Sequence, residues 1–337
     1  MMLIYDDIIY DLQKSGGISA YWDNLKKEIQ KQFVINSLNG NNLLRDSILP
    51  LSIQRYLNFK INYTSKNILH SSYYRISKNR NSKNIVTVHD FVYEYYSFGI
   101  KKMIHVLQKK NAILNADRII CISENTKKDL LKFYPTIGER KIKVVYHGVS
   151  EEFFKIKKDK SILENPNLNN LIFVGKRNGY KNFQILIDYL SNNHDYNLIL
   201  VGGGSLSKKE KKALKNISYQ HHQNISNSEL NSLYNNSIAL IYPSLYEGFG
   251  LPIIEALKAG CPVICNDGSS TKEIGDRYVL KGNISADFIE KSLKKLKNLK
   301  FREKIISDGI EYASNFTWEK TAQKTIELYK ELWEEFQ

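Results

Sequence analysis

Short apolar runs alternate with amphipathic stretches almost from end to end of the chain, the pattern of parallel strands joined by crossover helices. In the first half the runs Met2 to Tyr5, Phe33 to Leu38, Ile68 to His70, Ile85 to Val88, Arg118 to Ile122 and Ile142 to Tyr146 predict strands, and residues 18–31, 99–116 and 123–134 predict helices. Ser123 suits the N-cap of the last, because its hydroxyl can take up an unpaired backbone N–H. A polar stretch from Glu151 to Asn170, with Pro166 and many Lys, Asp and Asn, carries neither period and predicts a linker. A second series starts at Leu171 to Val174 and continues through Asn197 to Val201, Ile238 to Tyr242 and Pro262 to Cys265. Residues 286–335 read as helices with no further strong strand.

Length agrees with this division: 337 residues exceed one ordinary core and suit two α/β domains. We expect a domain at 1–150, a linker at 151–170, a second domain at 171–315, and a closing helix at 316–337 that crosses back to the first. Nothing approaches the apolar length of about 20 residues that a spanning helix needs. The N-terminus carries Asp6, Asp7 and Asp11 where an export signal needs basic and then apolar residues, so a cytoplasmic protein is expected. Cys121, Cys261 and Cys265 lack the number and spacing for a disulfide framework or a metal site and read as reduced packing thiols.

The net charge of +14 is uneven: residues 1–150 hold 23 Lys and Arg against 12 Asp and Glu, whereas 151–337 hold 26 against 23. A basic first half suits an anionic partner, such as the inner face of a membrane or a diphosphate-linked lipid; lysines that only maintain solubility explain it equally well. No arginine-rich stripe with interleaved aromatics, zinc-finger spacing or RNP-like string points to nucleic acid.

The densest chemistry lies in YPSLYEGFGLPIIEALKAGCPVICND, Tyr242 to Asp267. A buried strand runs into a glycine-containing loop, and Pro252 sits in the first turn of a helix, where its missing N–H is tolerated. Gly248, Phe249, Gly250 and Leu251 thus bring backbone donors to a helix N-terminus, an anion site suited to a diphosphate. Glu247 and Glu255 flank the turn. Phosphates would repel them, so they suit neutral ribose and sugar hydroxyls, although two surface glutamates around an ordinary turn would look the same in spacing alone.

The whole string changes that balance. YEGFGLPIIEALKAGCPVI resembles the E-x7-E signature of the family-4 retaining glycosyltransferases, often called glycosyl transferases group 1, which adopt the GT-B fold: two Rossmann-like α/β domains whose parallel sheets face across a cleft. The resemblance assigns Glu247 to the donor sugar's hydroxyls, Glu255 to the ribose, and Gly248 to Leu251 to the diphosphate. FVGKRNGYKNFQILI at 173–187 resembles the family's FVG-x5-K pattern after Gly175, so Lys181 matches the lysine that neutralises the leaving diphosphate. The family's arginine has two alternative positions, held here by Lys176 and Tyr180; Arg177 fills the role only by a shift of one, and the choice between Lys176 and Arg177 stays open. Gly16 and Gly17 resemble the GGIS-type loop that faces the donor, with Ser15 before them. TVHDF at 87–91 ends a strand in a polar pair, the place where open α/β sheets hold ligands; by resemblance His89 lies near the donor sugar, with Asp90 a weaker candidate.

ADRIICISENTKKDLLKFY, KIKVVYHGV, ELNSLYNNSIALIYPS, DGSSTKEIG and FTWEKTAQKTIELYKEL also follow the family in order and type, so the likeness covers nearly the whole chain and is thinnest over 40–80. It implies a retaining, metal-independent transferase moving a hexose from a nucleotide-diphosphate sugar, GDP- or UDP-linked, to a glycan or lipid-linked oligosaccharide acceptor in bacterial surface polysaccharide synthesis, without a separate cofactor. A nucleotide-sugar-binding protein without turnover and a sugar-nucleotide epimerase are the alternatives. Gly202-Gly203-Gly204 lacks the spaced dinucleotide fingerprint, and His221-His222 lacks a third ligand and reads as a surface loop.

Overall fold

The computed structural model describes residues 1–13, 16–38, 55–58, 64–157, 169–177 and 179–337. Ser15, most of 40–63 and the linker's 158–168 lie outside the described residues. Two compact units emerge, one formed by Met1–Gly148 with Trp318–Gln337 and the other by Val149–Thr317.

The first unit runs β1 (Leu3–Asp6), α1 (Ile8–Leu12), α2 (Gly17–Ile29), β2 (Ile35–Leu38), β3 (Asn67–Ser71), β4 (Ser82–Val88), α3 (Val92–Tyr96), α4 (Gly99–Asn115), β5 (Arg118–Cys121), α5 (Glu124–Phe133) and β6 (Ile142–Val144). Its sheet has the order β2-β1-β3-β4-β5-β6, and every pairing is parallel. Strands buried on both faces explain why their sequences read as apolar runs rather than alternations. Ser123 caps α5 by accepting the Thr126 N–H.

The second unit continues with β7 (Asn170–Val174), α6 (Gln184–Ser191), β8 (Asn197–Val201), α7 (Lys208–Ala213), β9 (Tyr219–His222), α8 (Asn227–Asn235), β10 (Ala239–Tyr242), α9 (Leu251–Lys258), β11 (Val263–Asn266), α10 (Ser269–Gly275), β12 (Leu280–Gly282), α11 (Ala286–Leu296) and α12 (Leu299–Ala313). Its sheet, also parallel throughout, has the order β12-β11-β10-β7-β8-β9. Both edge strands were invisible in the sequence. His221-His222, expected in a surface loop, belongs to β9, paired with Leu200 and Val201 of β8; an edge strand of polar residues leaves no apolar signal. Leu280–Gly282 is too short to show one.

The described start of the expected linker is fastened to the second unit. The Phe154 and Ile156 N–H groups donate to the side-chain carbonyls of Asn231 and Asn235 at 3.1 and 2.9 Å, and Glu151 pairs with Lys258 at 2.6 Å.

The last helix, α13 (Trp318–Glu334), belongs to the first unit. Trp318, Ala322, Ile326, Tyr329 and Leu332 join Tyr5, Trp22, Leu25 and Ile29 in one buried cluster. Each large apolar side chain buried this way stabilises by about 1.5–3 kcal/mol. A polar thread runs through the cluster: the Tyr329 hydroxyl meets the Tyr5 hydroxyl at 2.6 Å and His70 Nδ1 at 2.5 Å, and His70 Nε2 meets Thr87 Oγ1 at 2.8 Å. Burial lowers the His70 pKa to about 3, so the ring is neutral, with one nitrogen donating and the other accepting.

Candidate functional site

In the second unit β7 lies inside the sheet, with β8 on one side and β10 on the other. That reversal of strand order opens a crevice beyond the carboxyl ends of β7 and β10, where α/β sheets bind ligands. The loops leaving these two strands carry Gly175 to Lys181 and Pro243 to Gly250. Lys181 ends a turn of 3-10 helix, Gly179–Lys181, and its Nζ donates to Glu247 Oε1 at 2.5 Å, with both side chains still partly accessible. The ammonium also lies 5.4 Å from the Tyr180 ring and 5.6 Å from the Tyr242 ring, and two π faces favour a cation there. The Tyr242 hydroxyl is held protonated, first by burial and then by the negative charge of Glu247.

After Glu247 the chain turns sharply into α9. Gly250, the N-cap, sits at φ +100°, a conformation that disfavours any side chain. A Cβ there would also come within 3.3 Å of Ile253 Cδ1. Phe249 is buried against Phe316 with ring centroids 6.2 Å apart. Leu251 opens the helix, Pro252 behind it brings no N–H, and the Ile253 N–H donates to the Gly250 carbonyl at 2.9 Å. Further along α9, Glu255 is half-buried and Tyr234 donates to its Oε2 at 3.2 Å. Burial raises its carboxyl to about 7, against the lowering pull of that bond. Glu247 and Glu255 are therefore unlike: among the described residues one faces a cation and the other a neutral hydroxyl.

Three serines complete the loop, and sequence reasoning gave none of them a role. Ser270, fully buried, donates to the backbone carbonyls of Glu247 and Phe249, both at 2.9 Å. Ser269 Oγ accepts the Glu247 N–H at 2.9 Å from a residue at φ +48°, a strained position of the kind concentrated at functional sites. Ser244 Oγ is buried with no hydrogen-bond partner among the described residues. The string DGSSTKEIG marked the place of the first two, but serine is too common in turns for its type to reveal such bonds.

Arg177, expected in a catalytic role, makes its contacts away from Glu247 and Lys181. Its Nε pairs with Glu210 at 2.7 Å, Nη1 donates to the Gly202 carbonyl at 2.7 Å, and Nη2 donates to those of Gly203 and Gly204 at 3.3 and 2.8 Å. Three consecutive glycines at φ +75°, +77° and +73° turn their carbonyls to one side, and the planar guanidinium fork satisfies them together. Gly175 supports the same corner by donating to the Val201 carbonyl at 2.9 Å. Lys176 is exposed and has no ion pair among the described residues.

His89, Gly16 and Gly17 lie in the first unit. His89 follows β4, buried edge-on against Tyr21 with ring centroids 5.1 Å apart. Burial drops its pKa to about 4, with Asp90 pulling up and Lys109 pushing down, so the imidazole is neutral. Its Nε2 has no partner among the described residues, and a buried orphan of this kind is one that a ligand hydroxyl relieves. Asp90 caps its own loop by accepting the Val92 N–H at 2.9 Å. Gly16 is the N-cap of α2 and Gly17 its first residue; a Cβ on Gly16 would overlap the Gln13 side chain. Among the described residues no group of three or more His, Cys, Asp or Glu could hold a metal ion.

Comparison with known proteins adds independent findings. The family model described as glycosyl transferases group 1 matches residues 154–312, and that of glycosyltransferase family 4 matches residues 16–153. An uncharacterized glycosyltransferase of Methanocaldococcus jannaschii is 31% identical over 231 residues, 66% of this chain and 62% of that protein. The O-antigen chain mannosyltransferase RfbU of Salmonella typhimurium is 31% identical over 222 residues, 61% of this chain and 58% of its own length. The matched region thus spans about three fifths of each relative. Among solved structures, HepE of Anabaena in complex with UDP and glucose superposes with a TM-score of 0.72 at 14% identity, covering 98% of this chain and 99% of that one. The architecture is the two-domain α/β GT-B fold.

Proposed function

Because the chain belongs to the group 1 and family 4 glycosyltransferases, we propose that it moves a hexose from a nucleotide-diphosphate sugar to a hydroxyl of a glycan acceptor, with retention at the anomeric carbon. The observation that carries this reading is the Lys181–Glu247 pair at 2.5 Å, standing at the sheet's switch point beside a glycine turn that opens a helix. The turn's amides and the helix N-terminus receive the diphosphate. Lys181 turns towards the leaving phosphates and stabilises the charge that builds on them, and Glu247, released from it, accepts hydroxyls of the sugar. Glu255 accepts those of the ribose. The bond from anomeric carbon to diphosphate oxygen breaks with its electron pair passing to the diphosphate. The acceptor oxygen bonds on the same face, and its proton goes to the departing phosphate oxygen. Lysine and backbone amides supply the positive field without a divalent cation. His89, neutral and with Nε2 unengaged, is fitted to bond a sugar hydroxyl.

HepE is described in complex with UDP and glucose and RfbU as an O-antigen chain mannosyltransferase; on that basis the donor is a UDP- or GDP-hexose and the acceptor a bacterial surface glycan, lipid-linked or free. A thermal-shift panel of UDP, GDP, ADP, CMP, dTDP and their sugars tests it, since a ligand bound only to the folded chain raises its Tm. One nucleoside diphosphate should stabilise the wild type and fail to stabilise Glu255→Ala, and its hexose adduct should release that diphosphate when a glycan acceptor is added. A panel with no shift from any nucleotide would sink the reading.

A further inference from the structure

Helix α4 carries large apolar residues on its outward side. Inward lie His105 and Lys109, with Gln108 half-buried beside them and Ala112 and Ile113 buried one turn on, while Ile100, Met103, Ile104, Leu107 and Leu114 recur outward at three- and four-residue spacing. Phe98, just before the first turn, is 85% exposed; Ile100 is 72% exposed, and Met103 and Leu107 are each 56% exposed. A helix on a protein surface ordinarily shows the reverse. The register is locked from within. Lys109 Nζ, fully buried, pairs with Glu94 at 2.9 Å, donates to the Asp90 carbonyl at 2.8 Å and lies 4.4 Å over the Phe91 ring. His105 stacks on Tyr93 at 3.8 Å, and Gln108 donates to the Arg55 carbonyl. Rolling the helix to hide its apolar stripe would break all of these, so the outward stripe is a built surface of the kind that marks an interaction site.

Its charge selects the partner. The helix holds four lysines, 101, 102, 109 and 110, and no carboxylate. The acids nearest in the fold are already engaged: Glu94 pairs with Lys109 and Asp90 caps its loop. A second copy on this face would bring lysines against lysines. We propose that α4 and Phe98 form a docking surface for an anionic lipid bilayer, with the helix lying in the headgroup plane, the stripe from Phe98 to Leu107 in the acyl boundary, and Lys110 at the level of the lipid phosphates. Among the described residues no helix is long and apolar enough to cross a membrane, so the contact lies on the surface. The inference rests on this helix alone, and failure of the nucleotide panel leaves it standing.

Flotation of the full chain with phosphatidylcholine vesicles, with and without phosphatidylglycerol, tests it. The chain should float with the anionic vesicles, less so as salt screens the lysines. The combined Ile100→Ser, Met103→Ser and Leu107→Ser variant should partition about ten-fold less or weaker still at an unchanged Tm. If that variant loses Tm, Phe98→Ser and Lys110→Glu, both at solvent-facing positions, carry the test with a smaller loss in each. No flotation of the wild type, or flotation that these variants retain, overturns the proposal. So does a wild-type dimer that the triple variant converts to a monomer, which would give the face to a second copy.

Discussion

Each sheet places its first strand inside and lays later strands on both sides of it, and at each resulting switch point an acid meets a base. In the first unit Asp6, the last residue of β1, meets Arg75, which follows β3, at 3.3 Å. In the second, Glu247 after β10 meets Lys181 after β7 at 2.5 Å. The first pair is sealed, with side chains 0% and 2% exposed; the second is ajar at 11% and 14%. Asp6 also accepts the Ile8 N–H at 3.1 Å and faces the Ser71 hydroxyl at 3.5 Å, so its oxygens are occupied from within. Burial raises its carboxyl, with Arg75 pulling the other way. Glu247 meets a flexible lysine and stands beside the glycine turn that opens α9. The same topological position serves once as a structural lock and once as an opening for a ligand, and accessibility separates the two.

The largest effect that would sharpen this contrast belongs to the sealed pair. Asp6→Ala takes the carboxylate away from a buried guanidinium, which keeps its bond to the Leu57 carbonyl, and should cost about 3–5 kcal/mol of stability, the range for removing one member of a buried ion pair. Chemical denaturation would read it as a fall in the midpoint at unchanged slope. A loss below about 1 kcal/mol, typical of a solvent-exposed pair, would mean that Asp6 and Arg75 are no more of a lock than Lys181 and Glu247. Next comes the open pair. Lys181→Ala should lower turnover about 10²- to 10³-fold, the range seen when one group stabilising developing charge is removed, and should leave Tm nearly unchanged. An equal loss of stability with intact turnover would invert the assignment.

How much of this contrast the sequence disclosed depends on what each residue does locally. Glu247, Glu255, Lys181 and the turn from Gly248 to Leu251 were legible because strand, glycine turn and Pro-led helix follow one another without a gap, and local geometry dictates those residue types. Buried strands such as Asn197–Val201 showed themselves by apolar runs. β9 did not, since edge residues Tyr219 to His222 answer to solvent on one side. The contacts of Arg177 were not legible because its partners, the carbonyls of Gly202 to Gly204, lie 25 to 27 residues away, and only the fold brings them together. Asp6 was noticed for its charge alone; Arg75, 69 positions on, gave no sign of being its partner. Ser269 and Ser270 escaped for the same reason: their bonds to the Glu247 backbone span 22 and 23 residues.

Glu255 tests where the line between sealed and open falls, through the smallest effect. Its ordinary carboxyl value of 4.5 rises by burial to about 7 in the folded chain. Between those values the folded chain keeps a proton that the unfolded chain has released, so stability falls as pH rises through this window. The contribution of the protonated carboxyl is complete below about 4.5 and gone above about 7. Glu255→Gln removes the titration while keeping an acceptor for the Tyr234 hydroxyl. Asp6, common to both proteins, cancels in the difference. The Tm of the variant minus that of the wild type should therefore climb by a few degrees from about pH 4.5 to about pH 7 and then level off. A difference that stays flat would mean that Glu255 is ionised as readily in the folded chain as in the unfolded one. It would then be an open carboxylate, whereas a climbing difference places it with Asp6 on the sealed side, able to ionise only when a ligand's hydroxyls come to replace the lost water.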